Sequence, residues 1–246
     1  MCFSAHQIDR ATLALLEPGA CDFAMAVSAF EQPFHQGLRV GEAGALAGFA
    51  FATFDLLAAF AKSNGKRPRL VHRLDRETSG VIIAARTKPA AAFFSEAFAS
   101  REAAKTYLAI VCGGAPEAPE GEINLALKKS SRRGLDIMEP APDGQSALTR
   151  YKTLSIAPEA ALVELQPETG RMHQLRAHLA AIGRPIAGDG KYGGLFQLGA
   201  AAIPSLMLHA AALDIAHPAG ARLALAAPPP PAFDAALRSL GLERDT

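Results

Sequence analysis

An aspartate set among cations offers the clearest chemistry in this sequence of 246 residues. Asp75 lies in the segment HRLDRETSG, between Arg73 and Arg76 and shortly before the apolar run 81–85. Nearby positive charge favours the ionised form of a carboxyl group, even where that group is partly buried. A positioned, ionised aspartate can act as a nucleophile or as a general base. The segment therefore predicts a catalytic loop, and the alternative is a solvated loop of ion pairs in which Asp75 caps a turn.

A second segment, TGRMHQLRAH, carries several cations where a helix is expected. On a helix, His173 and Arg176 are three residues apart and share a face. Arg171 comes one turn before Arg176, at the positive end of the helix dipole, where an anion is favoured. The spacing predicts cations held by a rigid helix and aimed at an anion. The alternative is a surface helix whose cations are solvated.

Hydrophobic periodicity and turn signals predict the elements that position these segments. Helices are expected over 53–62, 89–102, 173–182 and 233–240. Strands are expected over 70–71, 81–85, 105–111, 146–154, 161–166, 206–208, 213–215 and 223–226. Strands and helices are mixed without strict alternation and without an internal repeat. This order predicts an α+β fold or a mixed sheet rather than a doubly wound parallel sheet.

Composition narrows the class of protein. Half of the residues are hydrophobic, a fifth are charged, and the formal net charge is +1. These values exclude a disordered chain and a nucleic-acid binder that depends on overall charge, but they allow one that uses a local basic stripe. The length favours one large domain. No glycine-rich phosphate loop, HExxH or GxSxG pattern is present, so metal and acyl-transfer chemistry have no support from motifs.

The spacing of the cysteines and the first ten residues bear on the cellular location of the protein. The three cysteines, Cys2, Cys21 and Cys112, have the spacing of neither a disulfide framework nor a zinc site. The first residues, MCFSAHQIDR, lack a basic region followed by an apolar core, so no signal peptide is predicted. We therefore expect a cytoplasmic protein without a membrane span.

Taken together, the two segments resemble the signatures of the RluA-type RNA pseudouridine synthases. HRLDRETSG resembles the family's acid loop, and GRMHQLRAHL and GRPIAGDGKYG resemble its two later signatures. Lys105 and Tyr107 resemble the family's Lys-x-Tyr strand, and LHAAALDIAHP and AAPPPP resemble its closing motifs. The motifs occur in the family's order over about residues 70–231. The resemblance implies the pseudouridine synthase fold, an α+β fold in which a mixed, mainly antiparallel sheet with flanking helices carries a cleft.

The resemblance also implies the chemistry. Pseudouridylation breaks the bond between uracil N1 and ribose C1′, turns the base and joins C5 to C1′, so no cofactor or metal is expected. Asp75 corresponds to the family acid, acting as nucleophile at C1′ or as base at C2′, and both roles stay open. Arg176 corresponds to the arginine that pairs with this acid. Tyr107 corresponds to the tyrosine beside the uracil, where a phenol can stack and accept or relay the C5 proton.

RNA is the expected partner, as ribosomal or transfer RNA, with no membrane, no protein partner and a monomeric state. The flipped uridine leaves a gap in the RNA stack that Arg73 is expected to fill. Two basic clusters could follow the RNA backbone: Lys66, Arg67, Arg69, Arg73 and Arg76, and Lys128, Lys129, Arg132 and Arg133. By motif position, the residues expected to bind RNA or substrate are His72, Arg73, Leu74, Lys105, Arg171, His173 and Gln174.

The chain departs from the family pattern at one segment. Where the family has Asn-Lys-Pro-x-Gly before the acid loop, this chain has FEQPFHQG at 30–37, without the lysine. We expect a single catalytic domain over 1–246, divergent over 1–50 and without an S4-type RNA-binding module. One alternative is a catalytically idle RNA-binding relative, against which the set of Asp75, Tyr107 and Arg176 argues. Another is a hydrolase that uses Asp75 with His72 or His173.

Overall fold

Strands dominate the part of the chain that this computed structural model describes, namely residues 13–15, 24–27, 68–85, 87–132, 134–218, 220 and 222–244. In chain order the strands are β1 Leu13–Leu15, β2 Ala24–Val27, β3 Arg69–Leu70, β4 Ser79–Gly80, β5 Ile82–Ala85, β6 Ala104–Cys112, β7 Glu120–Asn124, β8 Leu127–Arg132, β9 Leu135–Pro140, β10 Leu148–Ile156, β11 Ala160–Pro167, β12 Gln197–Leu198, β13 Ala201–Ala202, β14 Leu208–Ala216 and β15 Arg222–Ala226. The helices are α1 Lys88–Ala99, α2 Gln174–Ala181 and α3 Pro231–Leu240.

A seven-stranded sheet organises these elements. Its order is β15-β14-β6-β11-β10-β7, with all neighbours antiparallel, and β4 joins β14 as a parallel strand. A four-stranded sheet has the order β1-β2-β5-β3, and β8–β9 and β12–β13 form two-stranded sheets. The predicted α+β fold with a mixed, mainly antiparallel sheet and flanking helices is confirmed.

The loop that carries Asp75 connects the two larger sheets. It follows β3 in the four-stranded sheet and leads into β4 in the seven-stranded sheet. Gly80 has φ of +116°, and a Cβ atom there would lie 2.1 Å from the Ala210 carbonyl oxygen of β14. Only glycine adopts this backbone conformation at such a close approach. The Val81 N–H then donates to the same oxygen at 2.9 Å, so the end of the loop is held against β14.

Two hydrophobic clusters hold the helices on the strands. In the larger one, α2 contributes Leu175 and Leu179 and α3 contributes Phe233, packed with β6 and β11. In the smaller one, Phe94 of α1 packs with side chains from β5, β14 and β15. Burying a side chain of this size contributes roughly 1.5–3 kcal/mol to stability. Packing of this kind fixes α2 on the sheet and gives the residues at its start a rigid base.

Most of the helices and strands expected from apolar patterns are present in the structure, whereas several short or polar strands were not expected. The helices expected over 89–102, 173–182 and 233–240 are present with shifted ends, whereas the helix expected over 53–62 lies outside the described residues. The strands expected over 206–208 and 213–215 are one strand, β14, with an irregularity between Ala210 and Ala212. The strands β7, β8 and β9 were not predicted, because their apolar residues are too few or too irregular for a strand pattern. The strands β1, β2, β4, β12 and β13 were not predicted, because each is only two to four residues long. Within the described ranges, no helix has both the length and the apolar character that crossing a membrane requires.

Candidate active site

A cavity of about 460 Å³ lies between the acid loop, β6 and the turn that precedes α2. Nine of the ten residues expected in the site line it, and the tenth, Arg176, contacts the lining residue Asp75. The nine are His72, Arg73, Leu74, Asp75, Lys105, Tyr107, Arg171, His173 and Gln174. Segments far apart in sequence therefore form one site.

The Asp75 carboxylate is the only acidic side chain among the described residues that line this cavity. One-fifth of its side chain is exposed, and its Oδ2 lies 3.9 Å from Nη1 of Arg176. Its backbone carbonyl accepts a hydrogen bond from the Thr78 N–H at 3.0 Å, which closes a tight turn. The turn and the guanidinium together hold a carboxylate at the cavity wall while leaving it accessible.

The main partner of Arg176 differs from the expected one. Its Nε and Nη2 donate to the two oxygens of Asp189, each at 2.7 Å, in a bidentate pair. Arg176 is 2 % exposed and Asp189 is fully buried. The expected pair with Asp75 is present only as the contact of 3.9 Å, too long for a hydrogen bond. The expected pairing with Asp75 is thus a salt bridge without a hydrogen bond, because Asp189 takes the paired edge of the guanidinium and leaves only Nη1 toward Asp75.

Further groups surround the Arg176 guanidinium. Glu77 lies 3.8 Å from Nη2, and the ring of Tyr192 lies 5.3 Å away in a cation–π contact. Burial opposes the charge, but the hydrogen bond and charge of Asp189, followed by the charges of Asp75 and Glu77, raise the pKa of Arg176. Asp189 and Tyr192 were not predicted as site residues from the sequence. The available signal was an acid between two glycines, immediately after the apolar residues 186–187.

Gln174 shapes the turn that leads into α2. Its Oε1 accepts hydrogen bonds from the Thr169 hydroxyl at 2.6 Å and the Arg171 N–H at 3.0 Å. Its Nε2 donates to the Leu148 carbonyl and to the Thr149 hydroxyl, both at 3.0 Å. These four contacts use the hydrogen-bonding capacity of the amide. Gln174 therefore attaches the turn to β10 rather than offering a free amide to a ligand.

His173 occupies a strained position where this turn meets α2. Its φ of 50° and ψ of 22° lie in the left-handed region, which is uncommon for residues other than glycine. Its Nδ1 is hydrogen-bonded to the Tyr192 hydroxyl at 3.0 Å, and the two rings meet edge to face. Burial, followed by opposing effects of Asp75 and Arg176, lowers the pKa of His173. Strain of this kind persists where the surroundings fix it, and it is frequent at functional sites.

Tyr107 and Lys105 face the cavity from β6. Burial, and then the charge of Asp75, raise the pKa of Tyr107, so its phenol stays protonated at neutral pH. Burial is also the main cause that lowers the pKa of Lys105, with Glu168 opposing this shift and Arg101 adding to it. Arg101, which the sequence analysis did not select, lines the cavity with φ of 65°. The cavity thus places a neutral phenol and two cations near Asp75.

His72 anchors the acid loop. Its Nε2 accepts the Ile83 N–H at 2.8 Å, and its ring stacks on Phe98 with the centroids 4.3 Å apart. Burial, and then the charge of Lys105, lower the pKa of His72 to about 4. The ring is therefore neutral at pH 7 and carries its proton on Nδ1. These contacts explain how the loop is fixed to β5 and α1.

Positive charge concentrates at the cavity. Arg73, Arg101, Lys105 and Arg171 line it, against Asp75 as the acid. In the second basic cluster, by contrast, Lys128 pairs with Asp143, Lys129 with Asp136 and Arg132 with Glu139. Lys66, Arg67 and Arg133 lie outside the described residues. The cavity is thus a stronger candidate for contact with an anionic ligand than the β8–β9 hairpin.

In the described part of the chain, no three metal-ligating side chains come together.

Comparison with known proteins points to one family. A family model described as RNA pseudouridylate synthase matches residues 47–181, more than half of the chain. The chain is 42 % identical over 170 residues to an uncharacterised RNA pseudouridine synthase of Zymomonas mobilis, a match that covers 68 % of this chain and 75 % of the relative. Over 159 residues it is 36 % identical to the ribosomal large subunit pseudouridine synthase D of the same organism, covering 62 % of this chain and 49 % of that protein.

A solved structure shows the same architecture. The human RNA pseudouridylate synthase domain containing 4 superposes with a TM-score of 0.69 at 27 % identity, covering 92 % of this chain and 93 % of the human chain. Among the curated relatives, the chain spans only about half the length of several.

The lowered pKa of His72 predicts a loss of stability in acid. Its pKa is about 4 in the folded protein and 6.5 ordinarily, so the unfolded chain takes up the proton first as the pH falls. Its contribution is therefore complete above pH 6.5 and is lost as the pH falls toward 4. In His72→Gln, an amide oxygen can accept the Ile83 N–H without titrating. Urea unfolding at pH 7 and pH 4.5 should show that wild type loses about 1–2 kcal/mol more than the variant. Equal losses would contradict a neutral, buried His72.

Proposed function

The chain belongs to the RNA pseudouridylate synthase family, and on this premise we propose that it isomerises uridine to pseudouridine within an RNA. The observation that carries the proposal is the Asp75 carboxylate, which faces the cavity between the phenol-bearing strand β6 and the guanidinium of Arg176. An accessible carboxylate beside a fixed cation is the group that chemistry at the ribose requires.

The reaction can be written with this carboxylate in either of two roles. As a nucleophile, Asp75 joins C1′ while the N1–C1′ bond breaks and its electron pair leaves with the uracil. The base then turns, C5 attacks C1′, and the carboxylate is released. As a base, Asp75 instead removes the C2′ proton, uracil leaves, and C5 adds to C1′ before that proton returns. In both routes the C5 proton is lost and N1 gains a proton, so nothing is consumed.

Tyr107 supports the proposal through its protonation state. A phenol that stays neutral can stack on the uracil and donate a hydrogen bond, and it can pass a proton on as another arrives. It does not begin the reaction as a phenolate. Accordingly, we propose that Tyr107 holds the turned base and relays the C5 proton rather than removing it unaided.

RNA is the substrate that fits the cavity's charge. Four cations against one acid favour a polyanion, although the whole chain has a net charge of only +1. We propose that Arg73, which is exposed beside Asp75, contacts the strand that the flipped uridine leaves. Ribosomal and transfer RNA are the candidate targets, since relatives named for each class match the chain. The single-domain organisation, the monomeric state and the cytoplasmic location stay predictions.

Product analysis of Asp75→Asn tests the proposed function. Unmodified ribosomal and transfer RNA transcripts would be incubated with the protein, digested to nucleosides and separated by chromatography. Wild type should form pseudouridine, and Asp75→Asn should form less than about one per cent as much, because the amide is neither nucleophile nor base. The control Asp214→Asn removes a carboxylate that pairs with Arg222 on the edge of the sheet, and it should match wild type.

Other outcomes of the same assay would support the two alternative functions. Free uracil would identify a hydrolase instead, and RNA binding without any product would identify an idle relative. Substantial turnover by Asp75→Asn, after mass spectrometry has excluded deamidation, would remove Asp75 from the chemistry.

The cavity's charge predicts which cations matter for RNA binding. Arg73→Gln should weaken RNA binding and reduce the slope of log affinity against log salt by about one, because one phosphate contact is lost. Lys129→Gln should have a smaller effect, since Lys129 already pairs with Asp136 at 2.8 Å. Affinities measured from low to moderate salt would show the difference. A larger effect at Lys129 would instead place the RNA on the hairpin.

A further inference from the structure

The guanidinium of Arg176 is divided unequally between two aspartates. Nε and Nη2 form the bidentate pair with Asp189 at 2.7 Å, whereas Nη1 stays 3.9 Å from Asp75. Of the two acids, Asp189 is fully buried, and Asp75 is partly exposed in the cavity. The stronger pair therefore involves the acid that no substrate can reach.

Asp189 is held rigidly enough to enforce this division. Its Oδ1 also accepts the N–H groups of Lys191 and Tyr192 at 3.0 and 3.2 Å. Gly188 precedes it with φ of 74°, where a Cβ atom would lie 1.9 Å from the Ser205 carbonyl oxygen. Gly194 closes the same turn, where a Cβ atom would lie 1.8 Å from the Ile186 carbonyl oxygen. Backbone packing thus fixes the position of the Asp189 carboxylate.

The division matters for the chemistry of Asp75. A bidentate guanidinium would place a charge-assisted N–H donor on each carboxylate oxygen and so weaken both oxygens as nucleophile or base. At 3.9 Å, the guanidinium lies beyond hydrogen-bond distance and leaves the oxygens of Asp75 uncovered. Arg176 therefore brings a positive charge close to Asp75 without forming a hydrogen bond to its carboxylate.

We propose that Asp189 is a positioning residue that holds Arg176 in a bidentate pair and so keeps the Asp75 carboxylate uncovered for reaction. The inference rests on the proposed function for its kinetic consequences, whereas its structural consequence is independent of that function. Without Asp189, a buried guanidinium must find another anion, and the carboxylates of Asp75 and Glu77 are within 4 Å.

Asp189→Asn removes the negative charge of the pair and its Nε hydrogen bond. The amide oxygen at Oδ1 can still accept the Lys191 and Tyr192 N–H groups, so the turn is retained. The amide nitrogen then replaces Oδ2, and two donors meet where Nε of Arg176 now donates. Arg176 is expected to turn toward Asp75. Leu237→Ala, in the buried face of α3 and away from the cavity, serves as the control for a general loss of stability.

The kinetic test separates positioning from stability. Asp189→Asn should lower kcat by about tenfold or more while RNA affinity stays within about twofold of wild type. Leu237→Ala, assayed below its melting temperature, should retain the wild-type kcat. If Asp189 acts through Arg176, the double variant Arg176→Gln, Asp189→Asn should have a kcat no lower than Arg176→Gln alone. If the two substitutions lowered kcat independently, their factors would multiply in the double variant, and that result would overturn the proposal. An unchanged kcat in Asp189→Asn would also overturn it.

A crystal structure of Asp189→Asn tests the same inference without activity. It should show a guanidinium nitrogen of Arg176 within about 3 Å of an Asp75 oxygen. An Arg176 that stays at its wild-type position would contradict the proposal. If Asp189→Asn does not fold, the neutral double variant removes the unpaired buried charge, and its comparison with Arg176→Gln decides. If wild type formed no pseudouridine, the proposed function would be overturned. The crystal structure of Asp189→Asn would still show whether Asp189 determines the position of Arg176.

Discussion

A buried positive charge is the constraint on which the site depends. Arg176 is almost wholly removed from solvent, and a guanidinium in that position requires anionic partners, since leaving it unpaired costs about 3–5 kcal/mol. It finds Asp189 in the loop after α2, and Asp75 and Glu77 in the acid loop between the two sheets. The same residue therefore ties α2 to two loops that are distant in sequence. The position of the Asp75 carboxylate follows from this arrangement together with the close approach at Gly80.

Uncharged side chains are as important to the structure of the site as charged ones. His72 and Tyr107 are both kept neutral by burial, the first as an acceptor for a backbone N–H and the second as a phenol beside Asp75. Gln174 uses its whole amide to attach the turn before α2. Because these groups are uncharged, the charge that faces the cavity belongs to Asp75 and to four cations. A chain that is nearly neutral overall can in this way present a locally basic cleft.

The sequence contained enough to predict which residues gather at the site, but not how they pair. Asp75, Tyr107 and Arg176 come from three motifs whose order is recognisable, and apolar periodicity located the strand and the helix that carry the last two. Spacing does not state which of two acids lies at hydrogen-bond distance from a guanidinium. That choice depends on backbone turns, such as the one at Gly188, whose close contact with Ser205 is not visible in the sequence. The β8–β9 hairpin escaped prediction for a related reason, because cross-strand ion pairs such as Lys129–Asp136 take the place of apolar alternation.

The most direct test of this account is the coupling between Arg176 and Asp189 in the free energy of unfolding. Urea denaturation would compare wild type, Arg176→Gln, Asp189→Asn and the double variant at one neutral pH. Each single variant leaves one buried charge without its partner, whereas the double variant leaves none. We expect the double variant to lose about 2–3 kcal/mol less stability than the sum of the two single losses. Additive effects, within about 0.5 kcal/mol, would show that the buried pair is not the constraint that organises the site.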